Sequence, residues 1–148
     1  AWWEEVNQFS KGELKAIGLL FPAQITPKIK MQIIDAATRF SKSFSNLNYL
    51  LAFSFRLDMQ QQARLIEVHA DLTGDLILDR LLPAATQCEV LPEIVQGLLT
   101  DHYPDYTQGQ LIPTAIRFDE GETRLLQATD FSELIKRFNN TREYTCDE

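Results

Sequence analysis

Apolar residues recur at helical spacing near the start of the chain. Residues 2–9 place apolar side chains at i, i+4 and i+7, which is typical of a short amphipathic helix. Ser10 and Glu13 then have the spacing of a capping box, and the apolar stripe that follows ends at Pro22. The pattern predicts two N-terminal helices that meet at an angle.

The strongest helix signal follows. Thr26 is a good N-cap, and Pro27 falls at the first helical position, where its missing N–H costs nothing. An apolar stripe then continues to Phe44, so the sequence predicts an amphipathic helix of about four turns. Its outer face is basic, because four residues fall largely outside the stripe: Lys28, Lys30, Arg39 and Lys42.

The hydrophobic period changes to two after residue 48. Residues 49–57 and 65–72 alternate between two faces and are joined by a polar link over 58–62. This predicts a hairpin with one buried face and one partly polar face. Three glutamines in the link favour helix, so a helix over part of 58–70 stays open as an alternative.

Two short helices are predicted in the middle of the chain. A turn at residues 73–75 precedes a helix from Leu76 to Leu82, which Pro83 closes. Pro92 begins the other helix, which ends before Pro104. The apolar side of this second helix is predicted to consist of Ile94, Val95, Leu98 and Leu99.

A second hairpin and a last helix complete the pattern. Residues 112–118 and 123–128 alternate on either side of a turn that contains Gly121. Asp130 with Glu133 forms another capping box before the apolar stripe of a C-terminal helix. We expect residues 139–148 to be a frayed polar tail.

These elements predict the α+β class in a single compact domain over residues 1–148. We expect about four mainly antiparallel strands in two hairpins, with N-terminal, central and C-terminal helices packed on one face of the sheet. The length of 148 residues and a hydrophobic fraction of 45% are typical of one globular domain.

Composition favours a soluble, cytoplasmic protein. No apolar run approaches the ~18 residues of a membrane span, and no signal-peptide pattern opens the chain. Cys88 and Cys146 are too few for a disulfide scaffold, so we interpret both as free thiols in a reducing compartment.

The charge is unevenly distributed along the chain. The formal net charge is −7, with seven basic and four acidic residues in 1–57 but seven basic and seventeen acidic residues in 58–148. An acidic surface repels phosphate backbones, which disfavours nucleic-acid binding. The basic excess of the first half can still form a local patch.

No motif in the sequence identifies an activity or a cofactor. Glycine-rich phosphate loops, the G-x-S-x-G elbow and the Cys or His spacings of zinc sites are all absent. We therefore predict no cofactor and treat an enzymatic function as the weaker reading.

Acidic residues and histidines provide the enzymatic alternative. Glu67, His69 and Asp71 share one face of a strand at i, i+2 and i+4, and Asp75 follows just beyond its end. If His102 packs beside them, the set could hold a divalent metal in a small hydrolase or lyase. Polar alternation is also what any half-exposed strand requires.

The leading hypothesis is a non-enzymatic protein-binding or regulatory module, which works through a protein partner or by self-association. Trp2 and Trp3 support it, because tryptophan is enriched at interfaces. The basic helix face supports it too, since that face could dock an acidic partner: Lys28, Lys30, Arg39 and Lys42.

Overall fold

The computed structural model describes residues 2–44, 50–71, 76–102, 111–119 and 122–140. The described strands are β1 (Glu4–Ser10), β2 (Glu13–Phe21), β3 (Ala52–Leu57), β4 (Ala63–His69), β5 (Thr114–Asp119) and β6 (Glu122–Gln127). The described helices are α1 (Pro27–Ser41), α2 (Leu82–Thr86), α3 (Val90–Thr100) and α4 (Phe131–Asn140), with a 3-10 turn over Lys42–Phe44 and a π-helical turn over Ile77–Leu81.

The strands form two antiparallel sheets. A four-stranded sheet has the order β1-β2-β5-β6, and β3 pairs with β4 as a separate two-stranded sheet. The predicted α+β class is confirmed. The predicted strand count is too low, because the described residues contain six strands in three hairpins rather than four in two.

The two predicted N-terminal helices are wrong, since residues 4–21 form the β1–β2 hairpin. Lys11 and Gly12 have φ angles of 52° and 85°, and positive φ at both central residues is the signature of a type I′ hairpin turn. Ser10 and Glu13 do not cap a helix. They lie opposite each other across this turn.

Helices cover both faces of the four-stranded sheet, whereas the sequence predicted one. Phe21 and Ile116 belong to a core that includes residues of the π-helical turn, α2 and α3. Leu20 and Ala115, their chain neighbours, point to the other side and pack in a second core with Phe138 of α4. The four-stranded sheet therefore lies between two layers of helices, with one core on each of its faces.

The middle of the chain is helical, with boundaries that differ from the prediction. Pro83 does not close a helix, because it occupies the first turn of α2, where a missing N–H is tolerated. α3 begins at Val90 rather than Pro92. Ile94 is buried as predicted, but Val95 is 43% and Leu99 81% exposed.

The predicted helix after Thr26 and the strand pairing of the first predicted hairpin are confirmed, but no residue of β3 or β4 is buried, so the predicted buried face of this hairpin is wrong. The N–H of Ile29 donates to Thr26 Oγ1 at 3.3 Å, which caps α1. β3 and β4 form the hairpin, and the helix considered over 58–70 is not formed. Asp58 Oδ1 instead accepts the N–H of Gln62 at 2.8 Å, which fixes the connecting turn.

The second hairpin, β5–β6, and the C-terminal helix are also confirmed. The N–H of Glu133 donates to Asp130 Oδ1 at 2.8 Å, as the capping box requires. The Glu133 carboxylate reaches back to Thr129 rather than to Asp130. α4 continues through Asn140, and residues 141–148 lie outside the described residues.

Among the helices described, none has the length and apolar character that crossing a membrane requires.

Candidate binding groove

α1 has one covered face and one open face. Ile29 and Ile33 are buried on the covered face. The β3–β4 hairpin packs on the same side, because Gln32 Oε1 accepts the N–H of Ala63 at 2.8 Å and Phe40 meets Phe53 edge-to-face with 5.7 Å between ring centroids. A second face of the helix remains open.

This open face of α1 forms one side of an open groove. Lys30, Ile34, Ala37 and Ser41 follow one another at steps of four, three and four residues, so they share one helix face. Trp2 forms the other side. The groove has a volume of about 440 Å³ and is lined by Trp2, Ile34, Ala37, Thr38, Ser41 and Lys42.

Backbone hydrogen bonding places Trp2 beside the helix. The Trp2 carbonyl oxygen accepts the N–H of Ala23 at 2.9 Å, and Ala23 lies in the short connection between β2 and α1. The Trp2 side chain is half-buried. The groove therefore joins residues that are more than thirty positions apart in the sequence.

The lining of the groove is mostly apolar. Ile34 remains 45% exposed although it is a large apolar residue. The hydroxyl of Ser41 donates to the carbonyl of Ala37 at 2.8 Å, so its proton is used within the helix. A ligand would therefore gain mainly from burying apolar surface here.

The helix beside the groove is positively charged. α1 and the 3-10 turn contain four basic residues and one acidic residue, on an otherwise acidic protein. Arg39 pairs with Asp35 at 3.1 Å, which neutralises that position. Lys28, Lys30 and Lys42 form no ion pair within the described part of the chain, and of these Lys42 lines the groove while Lys30 extends its helix face.

The structure separates the predicted partner-binding residues into groups. Trp2 and Lys42 meet in the groove, and Lys30 extends the same helix face. Trp3 lies elsewhere, partly buried against the larger core. The sequence reasoning missed Ile34, although its helical spacing from Lys30, away from Ile29 and Ile33, was a signal that could have identified it.

The described residues do not assemble the predicted metal set. Glu67 and His69 lie on the same face of β4, with Glu67 Oε1 3.2 Å from His69 Nε2, and both are exposed. Asp71 and His102 are exposed, and Asp75 lies outside the described residues. Within the part of the chain that the structure describes, no group of three or more His, Cys, Asp or Glu side chains could hold a metal ion.

A charged cluster under α4 was not anticipated from the sequence. Arg117 is 6% exposed, lies 4.9 Å from the centroid of the Phe138 ring, and its Nε donates to Asp119 Oδ1 at 3.2 Å. Asp119 Oδ2 lies 3.5 Å from Arg124 Nε without forming a hydrogen bond. Arg117 Nη1 is buried and finds no hydrogen-bond partner among the residues described.

This charged cluster is a structural feature rather than a ligand site. The Arg117 side chain is covered by α4 and the Asp119 side chain is 12% exposed, so a ligand has little access. The alternation of Arg117 and Asp119 along β5, opposite Arg124 on β6, could have identified the cluster once the hairpin was predicted.

The tip of the β1–β2 hairpin presents a second exposed apolar surface. Phe9 and Leu14 lie directly opposite each other, 73% and 54% exposed. Their neighbours along the hairpin carry charges of both signs, including Glu13 and Lys15. This tip has no charge bias, so the groove is the stronger candidate for specific binding.

Comparison with known proteins gives no information about the candidate groove. No family model, no curated protein and no solved structure matches the chain. A function for this chain therefore has to be inferred from the geometry of the groove.

Proposed function

We propose that the protein is a non-enzymatic protein-binding module and that the groove between Trp2 and α1 is its binding surface. The observation that carries this proposal is the meeting of a half-buried tryptophan with an exposed isoleucine, Ile34, on an open helix face. Tryptophan beside an apolar recess is the usual composition of an energetic centre in protein interfaces.

Charge gives the proposal its second support. Lys30 and Lys42 lie on or beside the groove and have no carboxylate partner among the described residues. Rim charges of this kind increase association rates and select partners more than they increase affinity. An apolar floor with a charged rim is therefore an arrangement that suits reversible, selective docking of a protein segment.

The test is quantitative affinity capture from cells that produce the protein, with three baits. These are the wild type, Ile34→Asp in the groove, and Val95→Asp on the exposed side of α3 as the matched control. We expect at least one protein to be enriched by the wild type and the control but lost with Ile34→Asp. The purified pair should then bind at least about ten-fold more weakly when Ile34 is replaced.

Two results would contradict the proposed function. If Ile34→Asp retains every protein that the control captures, or if no protein distinguishes the baits, the groove is not a partner-binding surface. Circular dichroism of each variant separates loss of binding from loss of folding.

A further inference from the structure

We infer that the groove takes an extended acidic segment of a partner protein, in which an apolar side chain lies between two carboxylates. This inference rests on the proposed function, since it names the partner chemistry for the same groove. It comes from the order of charged and apolar groups along the groove: Lys30, Ile34, Ala37 and Ser41 on one face of α1, and then Lys42 in the 3-10 turn that follows.

The distance between the two cations sets the length of the segment. Lys30 and Lys42 are twelve residues apart, which corresponds to about 18 Å along the helix axis. An extended chain advances about 3.3 Å per residue. The carboxylates of the ligand are therefore about five or six residues apart.

The surface between the cations sets the character of the middle of the segment. Ile34 and Ala37 follow Lys30 by one and two helical turns, and Trp2 faces them across the groove. Because the lining between the cations is mostly apolar, this region favours an apolar or aromatic side chain, which gains from burying its surface.

The described strands of a second copy do not supply such a segment. Their acidic residues are Glu4, Glu5, Glu13, Glu67, Asp119 and Glu122. No described strand has carboxylates at both ends with an apolar residue between them. A nucleic acid is disfavoured by the net charge of −7.

The test is selection of random twelve-residue peptides displayed on phage, with the purified protein as bait. We expect the enriched sequences to contain Asp or Glu at two positions about five or six residues apart, with a large apolar residue between them. Synthetic versions should bind the double variant Lys30→Glu/Lys42→Glu at least about ten-fold more weakly than the wild type.

A charge exchange makes the test specific for these two lysines. The same peptides with lysine in place of their acidic residues should bind Lys30→Glu/Lys42→Glu better than they bind the wild type. Lys15→Glu/Lys136→Glu, at two exposed lysines outside α1, is the matched control and should still bind the acidic peptides.

Each remaining outcome overturns the inference. Enriched peptides without paired carboxylates, equal binding to the charge-reversed variant, selection of no peptide, or tighter binding of a random oligonucleotide would each do so. Two results separate this inference from the proposed function. If the selected peptides are apolar, lack carboxylates and still need Ile34, the acidic-segment inference fails but the groove remains a binding surface. If acidic peptides bind Ile34→Asp as well as they bind the wild type, the proposed function fails too.

Discussion

Gly18 of β2 lies against the ring of Phe138 from α4. A Cβ added at Gly18 would come within 2.6 Å of Phe138 Cε2 and would also collide with the carbonyl oxygen of Ile116. Phe138 is 2% exposed, and the carbonyl belongs to the neighbouring strand β5, so neither atom has room to move away. The absence of a side chain at position 18 is what allows α4 to approach this face of the sheet.

Gly18→Ala is therefore expected to lower the free energy of unfolding by about 2–3 kcal/mol, because the added methyl group overpacks the smaller core. Urea denaturation measures the change. Gly12→Ala is the comparison: no atom lies within 4 Å of its added Cβ, so only the φ of 85° is unfavourable. Its cost should be smaller, about 1 kcal/mol. Equal or reversed losses would show that α4 does not pack as described.

Asp119→Ala should destabilise the fold by about 3 kcal/mol, since it leaves the Arg117 guanidinium buried without its carboxylate. Arg124→Gln serves as the control. Its side chain is 46% exposed, so the change should cost less than about 1 kcal/mol. Thermal or urea unfolding of the two variants gives the comparison. Similar losses for both would contradict the buried position of Arg117.

Stability should fall on acidification in part through Glu133. The hydroxyl of Thr129 first, and Arg137 second, hold the pKa of this carboxyl below its ordinary value of 4.5. The ionised carboxylate therefore stabilises the fold fully above pH 4.5, and this contribution is lost as the pH falls through the folded-state pKa.

Glu133→Gln should accordingly flatten the dependence of unfolding free energy on pH below 4.5. Glu89→Gln is the matched control, because the Glu89 side chain makes no capping hydrogen bond at the start of α3. Urea midpoints measured across this range test the difference. An unchanged slope for Glu133→Gln, or an equal change for Glu89→Gln, would refute the assignment.

The two neighbouring tryptophans should differ in their effect on stability. Trp3 packs against the larger core, so Trp3→Ala should cost about 3 kcal/mol. Trp2 lines the open groove, and its structural hydrogen bond uses only the backbone, so Trp2→Ala should cost about 1 kcal/mol or less. Chemical denaturation followed by circular dichroism checks both. The reverse order would assign Trp2 to the core rather than to the groove.

The α+β class could be predicted because several segments carry clear local signals. Thr26 and Pro27 mark the start of α1, and apolar residues alternate with other residues along β3, β4 and β5. β2 could not be recognised in this way. It is covered on both faces over residues 17–21, so its sequence there is a continuous apolar run without alternation.

The misleading signals at the N-terminus also have a physical basis. Ser10 and Glu13 have the spacing of a capping box, but in the structure that spacing is the width of a two-residue hairpin turn. The decisive residues were Lys11 and Gly12, which adopt positive φ. Sequence spacing alone does not distinguish a capping box from a two-residue hairpin turn.

The groove could be predicted only in part. Tryptophan and a basic helix face are visible in the sequence, and Trp2, Lys30 and Lys42 were identified from them. Their meeting depends on the path of β1 and β2, which brings Trp2 back to Ala23 and hence to α1. Because that path was misread as helix, the sequence alone could not place Ile34 opposite Trp2.

The most direct test of the binding groove is photo-crosslinking in cells that produce the protein. A photoreactive amino acid replaces Thr38 in the groove or Val95 on α3 as the control. The proposal predicts a discrete cross-linked partner from position 38, absent from position 95 and lost when Trp2→Ala is added. Cross-linking from position 38 that is no stronger than from position 95, or that does not depend on Trp2, would contradict it.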